Sequence, residues 1–385
     1  KSLPKTVIKL TDEIYQKGEK ERNSAQMLKA YMWRMKTQDI LTPDSFYVGL
    51  RDLEQWAKQT EQPMDRAILH SLIAEFYANY AADNQWQLRQ RTEIVGETPS
   101  ADIREWTANM FVEKVRTNVK EALADSLLLL KTSSRNYIPF VELGETSEYY
   151  HHDMYHLLAS RAVRALNQIE RLERGSFNGI TVSPVKQDII NIYERMSDAY
   201  ETAGLKEGYV LTMLQYLEWE RGNDNKLQPV QLKKGLGEWT ADTYNAALDE
   251  LKRQFKSEPI CAEVYLAQAR YAVEKMQQVN ALQLCDEAIR LYPGYRRINA
   301  LKNLREEILA PFLNVSAVSQ AFPNEEIKLN VGHKNLDGFT VRLYQAKKLV
   351  KEQHYSVLRP KDYRAKDTVF TFKAPDLGTY VMRII

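Results

Sequence analysis

Residues 261–293 read CAEVYLAQARYAVEKMQQVNALQLCDEAIRLYP, and their pattern decides the fold class of most of the chain. Tyr265, Ala269, Ala281, Cys285, Ala288 and Pro293 are spaced 4, 12, 4, 3 and 5 apart. The 3–4 spacings give two helices. Small residues at 269, 281 and 288 let the two helices approach closely, and Pro293 ends the second. A helix pair of this size cannot bury its apolar face alone, so neighbouring helices must stack on it.

The segment resembles one tetratricopeptide (TPR) unit, an antiparallel helix pair in a repeat of ~34 residues. Earlier helices match that spacing less closely, so residues 1–310 read as an irregular TPR-like helical-repeat solenoid. Pro4 suits a first helical turn. Met27, Leu28, Tyr31, Met32 and Met35 mark the second helix. Thr42-Pro43-Asp44 supplies a capping hydroxyl, a proline and an acid for a third. Gln62-Pro63 restarts the chain, with Ile68, Leu72, Phe76, Tyr77 and Tyr80 as its stripe. Residues 84–101 read as irregular or briefly extended. One long helix is expected from Ser100 or Asp102 through Trp106 and Phe111 to Leu127, another from Ser147 to about Leu172. Ser183-Pro184 repeats the cap-then-proline start. Further helices are expected to about Tyr200, from Lys206 to Glu220 and from Thr240 to Phe255, with Arg174–Val182 and Gly222–Gly237 as loops.

The period changes at Ala310-Pro311. Val315–Val318, Ile327–Val331, Phe339–Tyr344, Val369–Phe372 and Tyr380–Ile384 alternate or are β-branched, with turn residues such as Pro323-Asn324, Asn335 and Asp337-Gly338 between them. About five short strands in residues 311–385 predict a small antiparallel β-sandwich. The fold class is thus mainly α, with a helical domain over 1–310 and a β domain, expected to be incomplete, over 311–385.

Composition fits this division. The 385 residues include only 15 glycines and 13 prolines, below the usual ~7% and ~5%. Lys+Arg total 53 and Asp+Glu 51, a net charge of +2, which gives no reason to expect nucleic acid. The longest apolar runs, such as residues 127–130, fall far short of the ~20 residues of a membrane span. Two cysteines exclude a disulfide framework or a cysteine-rich zinc module. The start Lys1-Ser2-Leu3-Pro4 and the end in an apolar β-like run suggest a piece of a longer protein.

The layout resembles the N-terminal region of the large bacterial alpha-2-macroglobulin-like proteins, in particular the Bacteroidetes type. The residues that carry the resemblance are Leu3-Pro4-Lys5-Thr6-Val7, Trp86-Gln87-Leu88-Arg89-Gln90-Arg91-Thr92 and Met154-Tyr155-His156-Leu157-Leu158-Ala159-Ser160-Arg161-Ala162. Phe322-Pro323-Asn324-Glu325-Glu326-Ile327-Lys328-Leu329, Asn335-Leu336, Val341-Arg342-Leu343-Tyr344 and Leu377-Gly378-Thr379-Tyr380-Val381 extend it through the β part. The resemblance implies that 311–385 is a macroglobulin-type domain. It implies a protease-trapping parent protein in the cell envelope, periplasmic or outer-surface, with a lipid anchor upstream. Its partners would be proteases and other domains of the same chain. The family's thioester pattern is Cys-x-Glu-Gln. Here Cys261 is followed by Ala262-Glu263-Val264 and Cys285 by Asp286-Glu287-Ala288, so neither matches. The expectation for this piece is a non-enzymatic scaffold or docking role with no cofactor. The alternative is a stand-alone TPR-type module that binds glycans or extended peptides.

Two sets of residues stand out chemically. His152-Asp153-Met154-Tyr155-His156 places two histidines at i and i+4. On a helix they share one face and could hold a metal, with His151 and Glu148 close by. A zinc protease would carry Glu, not Asp153, after the first histidine, and the competing reading is the start of a packed helix. Tyr149, Tyr150, Trp219 and Trp239 flank polar stretches and could line a groove, or fill gaps between helices. Cys261 and Cys285 read as buried free thiols, with a disulfide between them as the alternative. No Gly-x-Gly-x-x-Gly, Walker or Gly-x-Ser-x-Gly pattern occurs.

Overall fold

The computed structural model describes residues 4–42, 46–92, 100–142, 144, 147, 151–173, 183–222 and 243–385. It is mainly helical, with a small antiparallel β region at the C-terminal end. The chain divides into two compact units, Lys1–Glu238 and Trp239–Ile385.

The first unit contains α1 (Pro4–Lys20), α2 (Ser24–Leu41), α3 (Phe46–Gln59), α4 (Pro63–Asp83), α5 (Gln85–Gln90), α6 (Ala108–Ala122), α7 (Ser126–Lys131), α8 (Met154–Glu170), α9 (Pro184–Thr202) and α10 (Lys206–Gly222). Side-chain caps fix several starts. The carbonyl of Asn23 accepts from Gln26 N at 3.1 Å, and Ser183 Oγ accepts from Lys186 N at 3.1 Å, with Pro184 at the first helical position. α4 is the centre of the unit and packs on α3, α6 and α8. Its buried residues, among them Ile68, Leu69, Leu72, Ile73, Tyr77 and Ala81, go round much of the helix, as a helix enclosed by neighbours requires. Tyr77 stacks on Trp106 with ring centroids 5.3 Å apart, and Phe111 packs against both.

Three expected elements differ. Residues 85–90 form the helix α5, which sends Leu88 into the core. The long helix from 102 to 127 is broken: Ile103–Glu105 is a 3-10 turn, Trp106 is extended, and α6 ends at Ala122. Asp125 then accepts from Leu128 N at 3.0 Å and starts α7, leaving Leu127 exposed. The helix expected from Ser147 begins only at Met154, because Asp153 is extended (φ −99°, ψ 167°) and caps it. The starts read at Pro43-Asp44 and at Thr240, and the loops over 174–182 and 223–237, lie outside the described residues.

The second unit contains α11 (Thr243–Phe255), α12 (Cys261–Glu274), α13 (Gln278–Leu291) and α14 (Ile298–Leu309). Ala269, Ala281, Cys285 and Ala288 have no exposed surface, so the small residues do sit where α12 and α13 meet. Arg297 donates to Glu263 at 2.5 Å, a buried ion pair that ties the start of α14 to α12.

Six strands follow: β1 (Phe312–Ser316), β2 (Glu326–Lys334), β3 (Gly338–Gln345), β4 (Lys348–Ser356), β5 (Lys366–Lys373) and β6 (Val381–Ile384). They make two antiparallel three-stranded sheets, β1-β2-β5 and β4-β3-β6. The core between them is Ile327, Leu329, Val331, Phe339, Val341, Leu343, Tyr355 and Phe372. The β1–β2 and β5–β6 connections meet at one end, where Asn324 N donates to Ala374 O at 3.2 Å and Ala374 N to Glu325 O at 2.8 Å. β4 was not among the expected strands. Its residues are mostly polar, and the turn before it is Ala346-Lys347, both at positive φ (44° and 68°), a two-residue hairpin without glycine or asparagine.

The change from helix to strand falls between Leu309 and Phe312, yet α11–α14 and the sheets share one compact unit. Asn335 explains part of this. Its Nδ2 donates to Ile308 O at 2.9 Å and Ala310 O at 3.2 Å, satisfying helix-end carbonyls of α14 from the β2–β3 turn. Lys334 Nζ donates to Glu307 O at 2.8 Å.

Candidate functional site

Asp153 is the hub of a buried polar cluster at the start of α8. Its carboxylate accepts from His156 N at 2.7 Å and from the Tyr200 hydroxyl of α9 at 2.9 and 3.0 Å. His151 Nδ1 lies 2.8 Å from its Oδ2. Asp153 is 3% and His156 0% exposed, so neither is offered to solvent. His156 Nε2 sits 3.1 Å from Gln215 Oε1 of α10. Burial pulls the His156 imidazole down to about 4, against the opposing pull of Asp153 and Gln215. It is therefore neutral over the physiological range.

His152 precedes the cap and lies outside α8, so His152 and His156 do not share a helix face. The backbone of His152 instead binds the 132–134 segment: its carbonyl accepts from Ser134 N at 3.0 Å, beside a bridge between Ser133 and Asp153. Among the described residues no group of three His, Cys, Asp or Glu side chains is placed to hold a metal. Glu148 lies outside them. The cluster fixes where α8 begins and joins it to α9 and α10.

The groove aromatics are placed unevenly. Tyr149, Tyr150 and Trp239 lie outside the described residues. Trp219 donates its Nε1 hydrogen to Asn167 Oδ1 at 2.9 Å and packs on Tyr193 and Tyr216, with centroids 6.1 and 6.2 Å away. It fills the gap between α8, α9 and α10. Cys261 and Cys285 are buried free thiols. Burial raises both, and Cys285 reaches about 11.

An open concave feature lies elsewhere in the first unit, around Trp33 of α2. On one side is a cavity of about 410 Å³ floored by Ile68, Leu72, Met154 and Leu158 and walled by Phe140 and Val141. On the other is one of about 460 Å³, bounded by Met35, Lys36, Asp39 and Phe76. Met32 and Trp33 line both, and Trp33 is 51% exposed between them. Lys36 Nζ lies 5.5 Å from the centre of its ring. Inside the first cavity Arg161 of α8 pairs with Glu75 of α4 and donates to Ser71 Oγ at 3.3 Å. Burial pulls the guanidinium below its usual value and Glu75 raises it again. At the rim Lys29 bridges Pro139 O and Glu142, both at 3.0 Å.

This arrangement suits apolar side chains on a segment whose polar groups meet the mixed charges of the rim. Sequence reading did not single it out. Trp33 stands beside Met32, outside the apolar stripe, and an aromatic displaced from a stripe was the one available signal. The pairing of Arg161 with Glu75 spans 86 residues and carried none.

Two of the stretches that carry the family resemblance, 86–92 and 154–162, place residues at packing and backbone-holding positions. Leu88 is buried, Arg89 donates to Arg171 O at 2.6 Å, and Arg91 donates to Trp106 O at 2.5 Å. Met154, Leu158, Ala159 and Ala162 are in the core. No family model matches this chain, and no curated protein matches it.

Proposed function

We propose that this chain is the non-enzymatic N-terminal scaffold and docking part of a bacterial alpha-2-macroglobulin-like envelope protein that traps proteases. In this reading residues 311–385 are its first macroglobulin-type domain, and the helices are a TPR-like base. The chain itself uses no cofactor. Its partners are proteases, met through the whole protein, and further domains of the same polypeptide.

The observation that carries the reading is the joint at Asn335. This residue of the resembling stretch Asn335-Leu336 holds the carbonyls of Ile308 and Ala310, and so fixes the sheets to the last helix. Such a joint between α14 and the sheets suits a base on which further domains are mounted. The buried state of Asp153 and His156 and the raised thiols fit the same reading, since none of these groups is poised for chemistry.

The test is the sequence of the gene on both sides. A lipoprotein signal upstream and a succession of ~100-residue β domains downstream are expected. A stop codon within a few dozen codons of Ile385 overturns the proposal. A second reading, a module for extended peptides, is favoured by the groove at Trp33. It requires that peptide-pool binding be lost in Trp33→Ala, while Trp219→Ala acts only through stability.

A further inference from the structure

Trp33 divides a trough that runs along α2. On α2 the first of the two cavities beside it reaches from Lys29 to Trp33, and the second from Met32 to Asp39. On α4 the first reaches from Ile68 to Glu75, and the second touches Phe76. The cavities therefore follow one another in the same order along both helices. Trp33 is exposed although Tyr31 and Met35 on the same helix are buried. Lys36, which lines the second cavity, lies over the indole, so the ring turns a face to that side.

This geometry sets the spacing of what can fill both cavities at once. Side chains packed on opposite faces of a ring each lie ~3.5–4 Å from it, and so ~7–8 Å apart. In an extended chain residues i and i+2 share a face ~6.5 Å apart, close to that need. Same-face residues of a helix stand only ~5–6 Å apart, and a helix is ~10 Å wide, too bulky to sit astride a ring in the middle of a trough. With i and i+2 astride the ring, residue i+4 falls ~10 Å beyond it. Asp39 lies six residues after Trp33, ~9 Å along the helix. It is exposed and has no ion-pair partner among the described residues. In the first cavity Arg161 uses Nε on Ser71 and Nη2 on Glu75, while Nη1 makes no hydrogen bond among the described residues. Nη1 can donate to a main-chain carbonyl.

We propose that the trough at Trp33 takes an extended segment of another polypeptide with the pattern apolar-x-apolar-x-basic. The two apolar side chains sit astride the indole, one in each cavity, and the basic residue pairs with Asp39. A reversed chain places the same side chains alike. The inference rests on the second reading above, peptide binding at this groove, and adds the conformation, the spacing and the charge.

The probe is a capped heptapeptide of threonines with leucine at its second and fourth positions and lysine at its sixth, together with its reversed sequence. Each carries a fluorescent label and is titrated with the whole chain, with anisotropy as the readout. Trp33→Ala is expected to weaken binding at least about tenfold. At 51% exposure the change should leave the thermal melt native. Moving the leucines to adjacent positions is expected to cost about tenfold, since one of them then leaves its cavity. Glutamate in place of the lysine is expected to cost about threefold, and Asp39→Lys to reverse that preference. Binding that needs Trp33 but ignores the leucine spacing or the charge overturns the inference and leaves the second reading in place. So does a random peptide pool that binds through Trp33 while neither heptapeptide does. No binding through Trp33 by any peptide at millimolar concentration overturns both. Self-association of the chain that is lost in Trp33→Ala also overturns the inference, since a second copy then fills the trough.

Discussion

Acidification should unlock the α8–α10 region through one residue. His156 has no exposed surface, and its imidazole is held down at about 4. In the unfolded chain a histidine titrates near 6.5. Between those values the unfolded state binds one more proton than the folded state, so stability rises with pH across this window and falls on acidification. The contribution is fully present above about pH 6.5 and is lost as pH drops toward 4. The difference between about 6.5 and about 4 corresponds to about 3 kcal/mol, of which some 2–3 kcal/mol is lost between about pH 7 and pH 4.5. Carboxylates titrate in the lower part of this range, so the informative quantity is a difference. Urea unfolding of the native chain and of His156→Gln, followed at several pH values, isolates it. The variant should be the less stable at pH 7, because Gln215 loses its ring partner. The gap should shrink by about 2–3 kcal/mol by about pH 4.5, where the native chain must bury or protonate the ring. The His156 ring carbons should titrate near 4 by NMR. A gap that stays constant between about pH 6.5 and 4.5 would refute the reasoning, since the ring would then be charged or solvated in the fold.

Three further outcomes can be checked by similar means. Asn335→Gly and Asn335→Ala both remove the hydrogen bonds to Ile308 and Ala310, about 2 kcal/mol together. The alanine should cost about 1 kcal/mol more, because position 335 has φ 57°; equal losses in urea would contradict the backbone argument. Arg297→Met strands the Glu263 carboxylate and should cost about 3–5 kcal/mol, while the Glu263→Met/Arg297→Met pair should recover most of it in a double-mutant cycle. Cys285 should resist an aromatic disulfide reagent at about pH 8 until the chain is unfolded, because burial holds its thiol at about 11; rapid labelling of the folded chain would count against that burial.

Much of the architecture was legible locally. Capping and proline signals act within one turn of the chain, so Ser183-Pro184 and the α12–α13 pair could be read directly. Alternation gave β2, β3 and β5 because one face of each is apolar, and Asn324 and Asn335 marked turns because asparagine tolerates positive φ. Elements set by competition were misread. Asp125 and Asp153 carry acceptors that serve equally well mid-chain or as caps, and only the packing around them decides that a helix starts there. The edge strand β4 gave no alternation, since its inward residues include Lys351 and Gln353, whose place depends on the opposite sheet.

The candidate site divides in the same way. The sequence by itself determined the helical array, the switch to strands after Ala310 and the burial of the two cysteines, because each depends on spacing within a few turns or strands. It also marked His152, Asp153 and His156 as a group, by proximity alone. Only the tertiary structure decided that Asp153 is spent on Tyr200 and on the start of α8, and that His152 lies before that helix rather than on it. It alone brought Arg161 to Glu75 beside Trp33 and made Asn335 the fastening between helix and sheet. These outcomes rest on groups tens of residues apart, and no local period records which distant carboxylate, ring or carbonyl a side chain will meet.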